Sequence, residues 1–259
     1  MTPDSFSGDG LYRRGDLRRA FRYAKQLIKD GADMLDVGGE STRPGAKQIS
    51  VKEETARVIP LIKRLAKETS VPISIDTYKP DVARHALDAG ASMVNNIMGT
   101  NPDEDLLRMV RDYRSAIVLM HIKGTPRTMQ KNIRYGNLME EIASALGKSL
   151  ENCLESGINS DRIILDPGIG FGKTLQHNLE IINRLDRLKR LNKPLLVGSS
   201  RKSFIGKILK KEVHERLWGT AATVCASILN GAQLVRVHDV APMKDVALVA
   251  DAIIRKKIS

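Results

Sequence analysis

An α/β fold of parallel strands and covering helices is what this chain predicts, on three observations. Short β-branched apolar runs recur, each is followed by a polar or glycine-rich turn, and a longer stretch with helical periodicity comes next. Strict alternation over one domain's length implies parallel strands joined by right-handed crossovers, either closed as a barrel or open and doubly wound. Counting favours a (β/α)8 TIM barrel lacking its first strand, because seven strand candidates stand against eight helix candidates and the chain opens on a loop feeding a helix.

A loop over residues 2–11 leads to the first helix, expected at 16–30 with Asp16 as a cap candidate. The first apolar run, 34–37, ends in the turn Gly38-Gly39 and precedes a helix at 51–69. Runs at 73–76 and 92–97 are followed by helices at 80–89 and 103–113. The run at 116–121 leads to a helix at 138–156, and runs at 163–166 and 195–198 bracket one at 177–191. Helices at 213–230 and 241–256 flank the last run, 234–238. Met1 stands where the first strand of an eightfold repeat should end, so that strand is expected to be absent. Its genuine loss would leave two unpaired edges around an open core, with poor stability and little turnover; a late start or a fragment accounts for the gap better. No linker-like or low-complexity stretch divides the chain, and residues 1–259 read as a single domain.

Composition bounds the function. With 42% apolar and 28% charged residues the chain can build a core and is not disordered. Cys153 and Cys225 share no short spacing, which argues against a disulfide scaffold, zinc or a redox motif and fits a reducing, cytoplasmic setting. No apolar run reaches the roughly 20 residues of a membrane span, and no signal segment opens the chain. The net charge of +12 pulls on anions in general, but few aromatics interleave with the scattered arginines and lysines, so neither nucleic acid nor a membrane is the expected partner.

In a β/α barrel the site is built at the carboxyl ends of the strands. There this chain is polar throughout: Thr2 to Ser7, Gly38 to Gly45, Asp76 and Thr77, Asn95 and Asn96, His121 with Lys123 and Gly124, Asp166 to Lys173, Gly198 to Ser203, then Arg236, His238 and Asp239. Any one of these has a structural alternative, such as Asp76 or Thr77 capping a helix. Convergence of all of them on one rim argues for a site. Asp76, Asn95, Asp166 and Lys202 can match the donor and acceptor edges of a flat, nitrogen-rich ring. Arg43, Arg236 and His238, with Thr42 and glycine-turn N–H groups, can clamp phosphate-like oxygens, and Ser203 near a helix start can hold a carboxylate.

Two motifs fail on register. Gly172-Lys173-Thr174 mimics a phosphate loop, yet Pro167 occupies the position of its first glycine, and Lys173 occupies the last glycine of a dinucleotide fingerprint. His85, His177 and His214 fall on helices at no ligand-like spacing and read as surface or packing residues.

The segments Thr2-Pro3-Asp4-Ser5-Phe6-Ser7, Asp36 to Gly45, Ser74 to Thr77, Leu119-Met120-His121, Asp166 to Lys173, Ser200-Arg201-Lys202-Ser203 and Arg236 to Val240 together resemble the dihydropteroate synthase family, in order and over nearly the whole chain. The resemblance implies a TIM barrel that condenses 6-hydroxymethyl-7,8-dihydropterin diphosphate with p-aminobenzoate, releasing pyrophosphate with Mg2+ assistance and no protein nucleophile. It implies that Asp76, Asn95, Asp166 and Lys202 hold the pterin, and that Thr42, Arg43, Arg236 and His238 address the diphosphate. Phe6, Pro44 and Ser203 would border the p-aminobenzoate pocket, where sulfonamides compete. Lys202, Arg236, His238 and Asp166 are thereby the catalytic candidates, and a homodimer is implied as the assembly. The chain departs from the family in having no Asn two residues before Thr2, in Ser7-Gly8-Asp9-Gly10 where Ser-Asp-Gly-Gly is usual, and in Asn95-Asn96 where Asn-Asp is usual. The competing readings are a pterin-binding methyl-transfer domain and a non-catalytic pterin-binding homologue. Formation of dihydropteroate from the two substrates distinguishes both from the synthase.

Overall fold

The computed structural model describes residues 17–43 and 45–255. The expected missing strand, the Asp16 cap and the Phe6 and Pro44 assignments fall outside the described residues. Helix α1 (Leu17–Lys29) is followed by β1 (Leu35–Gly38), α2 (Val51–Glu68), β2 (Ile73–Asp76), α3 (Pro80–Asp88), β3 (Met93–Asn96), α4 (Glu104–Asp112), β4 (Ala116–Met120) and α5 (Leu138–Glu155). Then come β5 (Ile163–Asp166), α6 (Leu175–Asn183), β6 (Leu196–Val197), α7 (Ser203–Leu209), α8 (Leu217–Leu229), β7 (Leu234–Val235) and α9 (Val240–Arg255). Every described strand pair is parallel and sequential, β1 to β5 in one sheet and β6 to β7 in another. A parallel bridge between Leu165 and Leu195 joins the two.

The strands are short because each only spans the barrel wall, and their residues alternate between two environments. Outward-facing side chains such as Ile75, Val94, Ile117, Leu119, Ile163 and Leu165 join Val58, Leu65, Ile142 and Leu146 of the covering helices in the main core. Inward-facing Met93, Val118, Ile164 and Leu196 form a second cluster, with Met34 and Leu234 packed against it. That inner cluster fills the barrel's floor, as β/α barrels require of a packed interior.

The expected elements are present, with three differences. The expected helix at 177–191 begins earlier, at Leu175, because Thr174 and His177 form a capping box, and it gives way to a 3-10 stretch over Leu185–Leu191. The Asn230 amide donates to Ile182 O at 2.8 Å, satisfying a carbonyl that α6 leaves open at its end. The helix expected at 213–230 is split into a 3-10 turn over Val213–Glu215 and α8. Helix α7 begins at Ser203, where a helix start was expected, but its extent was not, since seven residues are too few for periodicity to register. Among the described residues no helix is long and apolar enough to cross a membrane. Both cysteines are free thiols, and burial pushes that of Cys153 up to about 12.

Candidate active site

Two residues above the apolar floor, the same inward faces turn polar. The step from Met34 to Asp36, Ser74 to Asp76, Met93 to Asn95, Ile164 to Asp166 and Leu234 to Arg236 is one strand period on each strand. The structure brings these residues together. Arg236 Nη1 donates to Asp36 Oδ2 at 2.9 Å and to Asp76 Oδ2 at 3.2 Å, so the end of the last strand meets the first two. Asn95 Nδ2 donates to the same Asp36 oxygen at 3.0 Å. Asp166, buried after β5, accepts from Gly168 N at 2.6 Å. Lys202, buried in the turn after β6, donates to Ile169 O and places its ammonium 4.4 Å from the centre of the Phe171 ring.

Asp76 caps no helix, so the structural alternative for it fails. The N-cap of α3 is Lys79, and it is Thr77 Oγ1 that accepts from Lys79 N, at 3.3 Å. Asp76 Oδ1 is instead buried with no hydrogen-bond partner among the described residues. A native protein seldom leaves a buried carboxylate oxygen unpaired, so the atom marks a place for an incoming donor. Burial and the Asp36 carboxylate push Asp76 up to about 7, against the pull of Arg236. Burial and the neighbouring Arg236 push Lys202 down to about 7, opposed by Asp166 and Asp76. Burial also raises Asp166, while Gly168 N–H, Lys202 and Arg236 oppose it. Burial works against the Arg236 charge, but Asp36, Asp76 and Asp166 hold it above its ordinary range. Opposed titrations packed together in this way are the signature of a functional cluster.

The remaining expected residues lie around this cluster. His238 lies above β7, its Nδ1 2.8 Å from Ser200 Oγ, which also accepts from the His238 N–H at 3.3 Å. Arg201, at φ +55°, turns its guanidinium onto Asp239 in a two-point pair and so ties the ends of β6 and β7. Ser203 opens α7 and lines a cavity of about 290 Å3 with Gly170, Lys173, Asn178 and Phe204. Thr42 and Arg43 sit on the loop after β1, and no hydrogen bond or ion pair joins their side chains to the cluster among the described residues. The base of that loop is fixed by Glu40, which accepts from Tyr78 OH at 2.8 Å and from Lys79 Nζ at 2.6 Å. Further along the loop, Gly45 N donates to Pro126 O at 3.3 Å.

Sequence reasoning separated a ring reader from an anion clamp too sharply, since Arg236 is bonded inside the reader. It also missed Asp36 as a site residue, although an acid between Leu35 and Val37 in an otherwise apolar run was the available signal. The Asn95-Asn96 departure affects only one side of the strand: Asn95 faces the cluster, whereas Asn96 Oδ1 accepts from Met98 N at 2.9 Å in a local turn. His85 is exposed on α3, His177 serves the α6 cap, and His214 is exposed in the 3-10 turn. Among the described residues no group of three or more His, Cys, Asp or Glu could hold a metal ion. Asp36 and Asp76 are both engaged by Arg236, so these residues do not fit a protein-built magnesium site.

Fold and site together define a TIM-barrel enzyme with a cluster of charged and amide side chains at the carboxyl ends of its strands. A family model described as pterin binding enzyme matches residues 1–238. The dihydropteroate synthase of Synechocystis sp. is 48% identical over 255 residues, 98% of this chain and 88% of that one. The solved dihydropteroate synthase of Yersinia pestis, in complex with a sulfonamide drug, matches with a TM-score of 0.94 at 37% identity, covering 99% of this chain and 92% of the other. That of Clostridium difficile, crystallised in the presence of pteroic acid, matches with a TM-score of 0.89 at 40% identity, covering 97% and 94%. The chain belongs to the pterin-binding enzymes and, within them, to the dihydropteroate synthase family.

Proposed function

We propose that this chain condenses 6-hydroxymethyl-7,8-dihydropterin diphosphate with p-aminobenzoate to give 7,8-dihydropteroate and pyrophosphate, a step of folate biosynthesis. The observation that carries the reading is the layer in which buried Asn95, Asp166 and Lys202 meet the partly exposed side chains of Asp36, Asp76 and Arg236, with the buried atom Asp76 Oδ1 left for a donor. Carboxylates and an amide accept from ring N–H and amino groups, and the Lys202 ammonium donates to a ring acceptor. Family membership supports the same substrate class, and pteroic acid at the Clostridium difficile relative joins both substrate halves in one molecule.

In this reading the exocyclic carbon–oxygen bond breaks as pyrophosphate leaves with the bonding pair, and positive charge spreads into the pterin. The arylamine nitrogen then attacks that carbon and gives up a proton. Fixed charges do the catalytic work: the aspartates stabilise the cationic ring, while Arg236, His238, Arg43 and Thr42 face the departing anion. Ser203 and the cavity beside it take the arylamine end. Magnesium belongs to the reading only as an ion arriving with the diphosphate, and no step above runs through it. The decisive assay gives the purified chain both substrates and follows dihydropteroate; no product with an intact fold refutes the reading.

The same reading places the enzyme in the cytoplasm as a homodimer. The dimer has a surface to use, because α8 carries no charged residue and packs on α9, yet Trp218, Leu248, Val249, Ile253 and Ile254 are exposed on the pair. Uncharged helices with an apolar outer face are ordinarily covered. Light scattering is expected to give twice the chain mass, and Trp218→Glu with Leu248→Glu to give the monomer. A monomeric parent chain at tens of micromolar would rule the dimer out.

A further inference from the structure

We propose that Lys173 and His121 form a clip that positions both Asp166 and Lys202, making them positioning residues for pterin capture; this rests on the functional reading above. The loop Asp166-Pro167-Gly168-Ile169-Gly170-Phe171-Gly172 lies pressed between the end of β4 and Lys202. A Cβ on Gly168 would fall 1.9 Å from His121 O, and one on Gly170 would fall 2.9 Å from Lys202 Cδ, so there is no room for slack on either side. Gly168, Gly170 and Gly172 all take positive φ, +71°, +85° and +66°, which makes the path a sequence of left-handed turns.

Lys173 closes this loop from behind. Lys173 is only 3% exposed, and its ammonium makes no ion-pair contact with a carboxylate among the described residues. Its three donors meet three uncharged acceptors: Phe171 O at 2.9 Å, His121 Nδ1 at 3.0 Å and His121 O at 3.3 Å. Nδ1 can accept only if His121 is neutral with its proton on Nε2, and burial beside Lys173 holds the ring in that form. Burial pushes this ammonium down to about 7 against the pull of the Asp166 carboxylate, and burying a lysine without a direct ion pair is costly. What it secures is the loop, because the three contacts bind the loop's far end to β4 on both the backbone and the ring.

The loop in turn carries the atoms that aim the pterin readers. Gly168 N donates to Asp166 Oδ1, Ile169 O accepts from Lys202 Nζ, and the Phe171 ring lies beneath the Lys202 ammonium. Gln130 to Gly170 O, Tyr135 OH to Gly172 O and Gly170 N to Asn178 Oδ1 hold the remaining backbone. Among the described residues the clip joins the loop's far end to the strand beside Asp166, through the β4 end whose His121 N donates to Asp166 O at 2.8 Å.

The test compares Lys173→Met, His121→Asn and His121→Phe with the parent, measuring melting temperature, calorimetric binding of 6-hydroxymethylpterin and steady-state kinetics. Met keeps the length and loses the donors, Asn keeps an acceptor near the place of Nδ1, and Phe removes it. Misplacement by a fraction of an ångström is expected to lower kcat/KM for the pterin diphosphate at least about tenfold in Lys173→Met and His121→Phe. KM for the pterin substrate should rise at least about fivefold more than KM for p-aminobenzoate, and His121→Asn should stay within about threefold of the parent. The melting temperature of Lys173→Met should hold or rise, since an apolar isostere replaces a buried charge. Pterin binding and kinetics unchanged in both disruptive variants, or losses that follow melting temperature with Asn no better than Phe, overturn the clip. A parent that binds pterin but makes no product overturns the functional reading instead, and the binding data still judge the clip.

Discussion

Two layers of the barrel interior lie one strand period apart and obey opposite rules. The lower, with Met93, Val118, Ile164 and Leu196, is apolar apart from Ser74, whose buried hydroxyl has no hydrogen-bond partner among the described residues. The upper, with Asp36, Asp76, Asn95, Asp166 and Arg236, concentrates charge and leaves a carboxylate oxygen, Asp76 Oδ1, unpaired. The same strands build both, so the contrast cannot come from the backbone; it comes from what each layer must do. Burial of apolar area in the lower layer stabilises the fold at about 25 cal/mol per Å2. The upper layer gives up that gain, and desolvates charges besides, in order to present them to a ligand.

The contrast breaks most sharply if its terms are exchanged. Val118→Asp places an unpaired carboxylate in the lower layer, where several kcal/mol of destabilisation is expected; circular dichroism should show little folded protein, and a melting curve like the parent's would deny that this layer is dry. Lys202→Ala makes the opposite test in the upper layer. Turnover with the pterin diphosphate is expected to fall by about 10²-fold, the usual order for one electrostatic donor. Melting temperature should move little, and unchanged kinetics would remove Lys202 from the site.

A smaller effect sharpens the comparison through pH. Asp76 is held near 7 in the folded chain against an ordinary 3.8, so the native state binds its proton more tightly than the unfolded state does. The stability this group contributes is therefore complete below about pH 4 and is lost as pH rises through about 7. In Asp76→Asn that fall should disappear, leaving a flatter plot of unfolding free energy between pH 4 and 7. An identical slope in both proteins would show that Asp76 is not the group responsible.

Much of this was legible in the sequence because both signals are local. Short apolar runs placed six of the seven strands within a residue at each end and overran the last, expected at 234–238 and observed at Leu234–Val235, and the polar residues at or after their ends supplied Asp76, Asn95, Asp166, Lys202 and Arg236 as candidates. What could not be read was pairing at a distance. Arg236 and Asp36 are separated by 200 residues, and nothing near either one announces the 2.9 Å contact that draws Arg236 into the ring-reading layer. The extent of helix α7 was hidden by its shortness, though not its start at Ser203, and the Lys173 clip by its company, since a lysine after a glycine-rich turn suggests a phosphate contact rather than a buried brace. Thr42 and Arg43 show the converse: their residue types suggest a clamp, but a loop's side chains are placed by ligand and neighbours more than by local sequence.

Calorimetric titration of the parent and of Asp76→Asn with 6-hydroxymethylpterin at pH 7.5 tests the upper layer most directly. The parent should bind with one site per chain and the variant, equally folded, should bind at least about tenfold more weakly, the loss of one charge-assisted pair. Equal dissociation constants for the two proteins, or no binding by a folded parent, would contradict the claim that the upper layer reads the pterin ring.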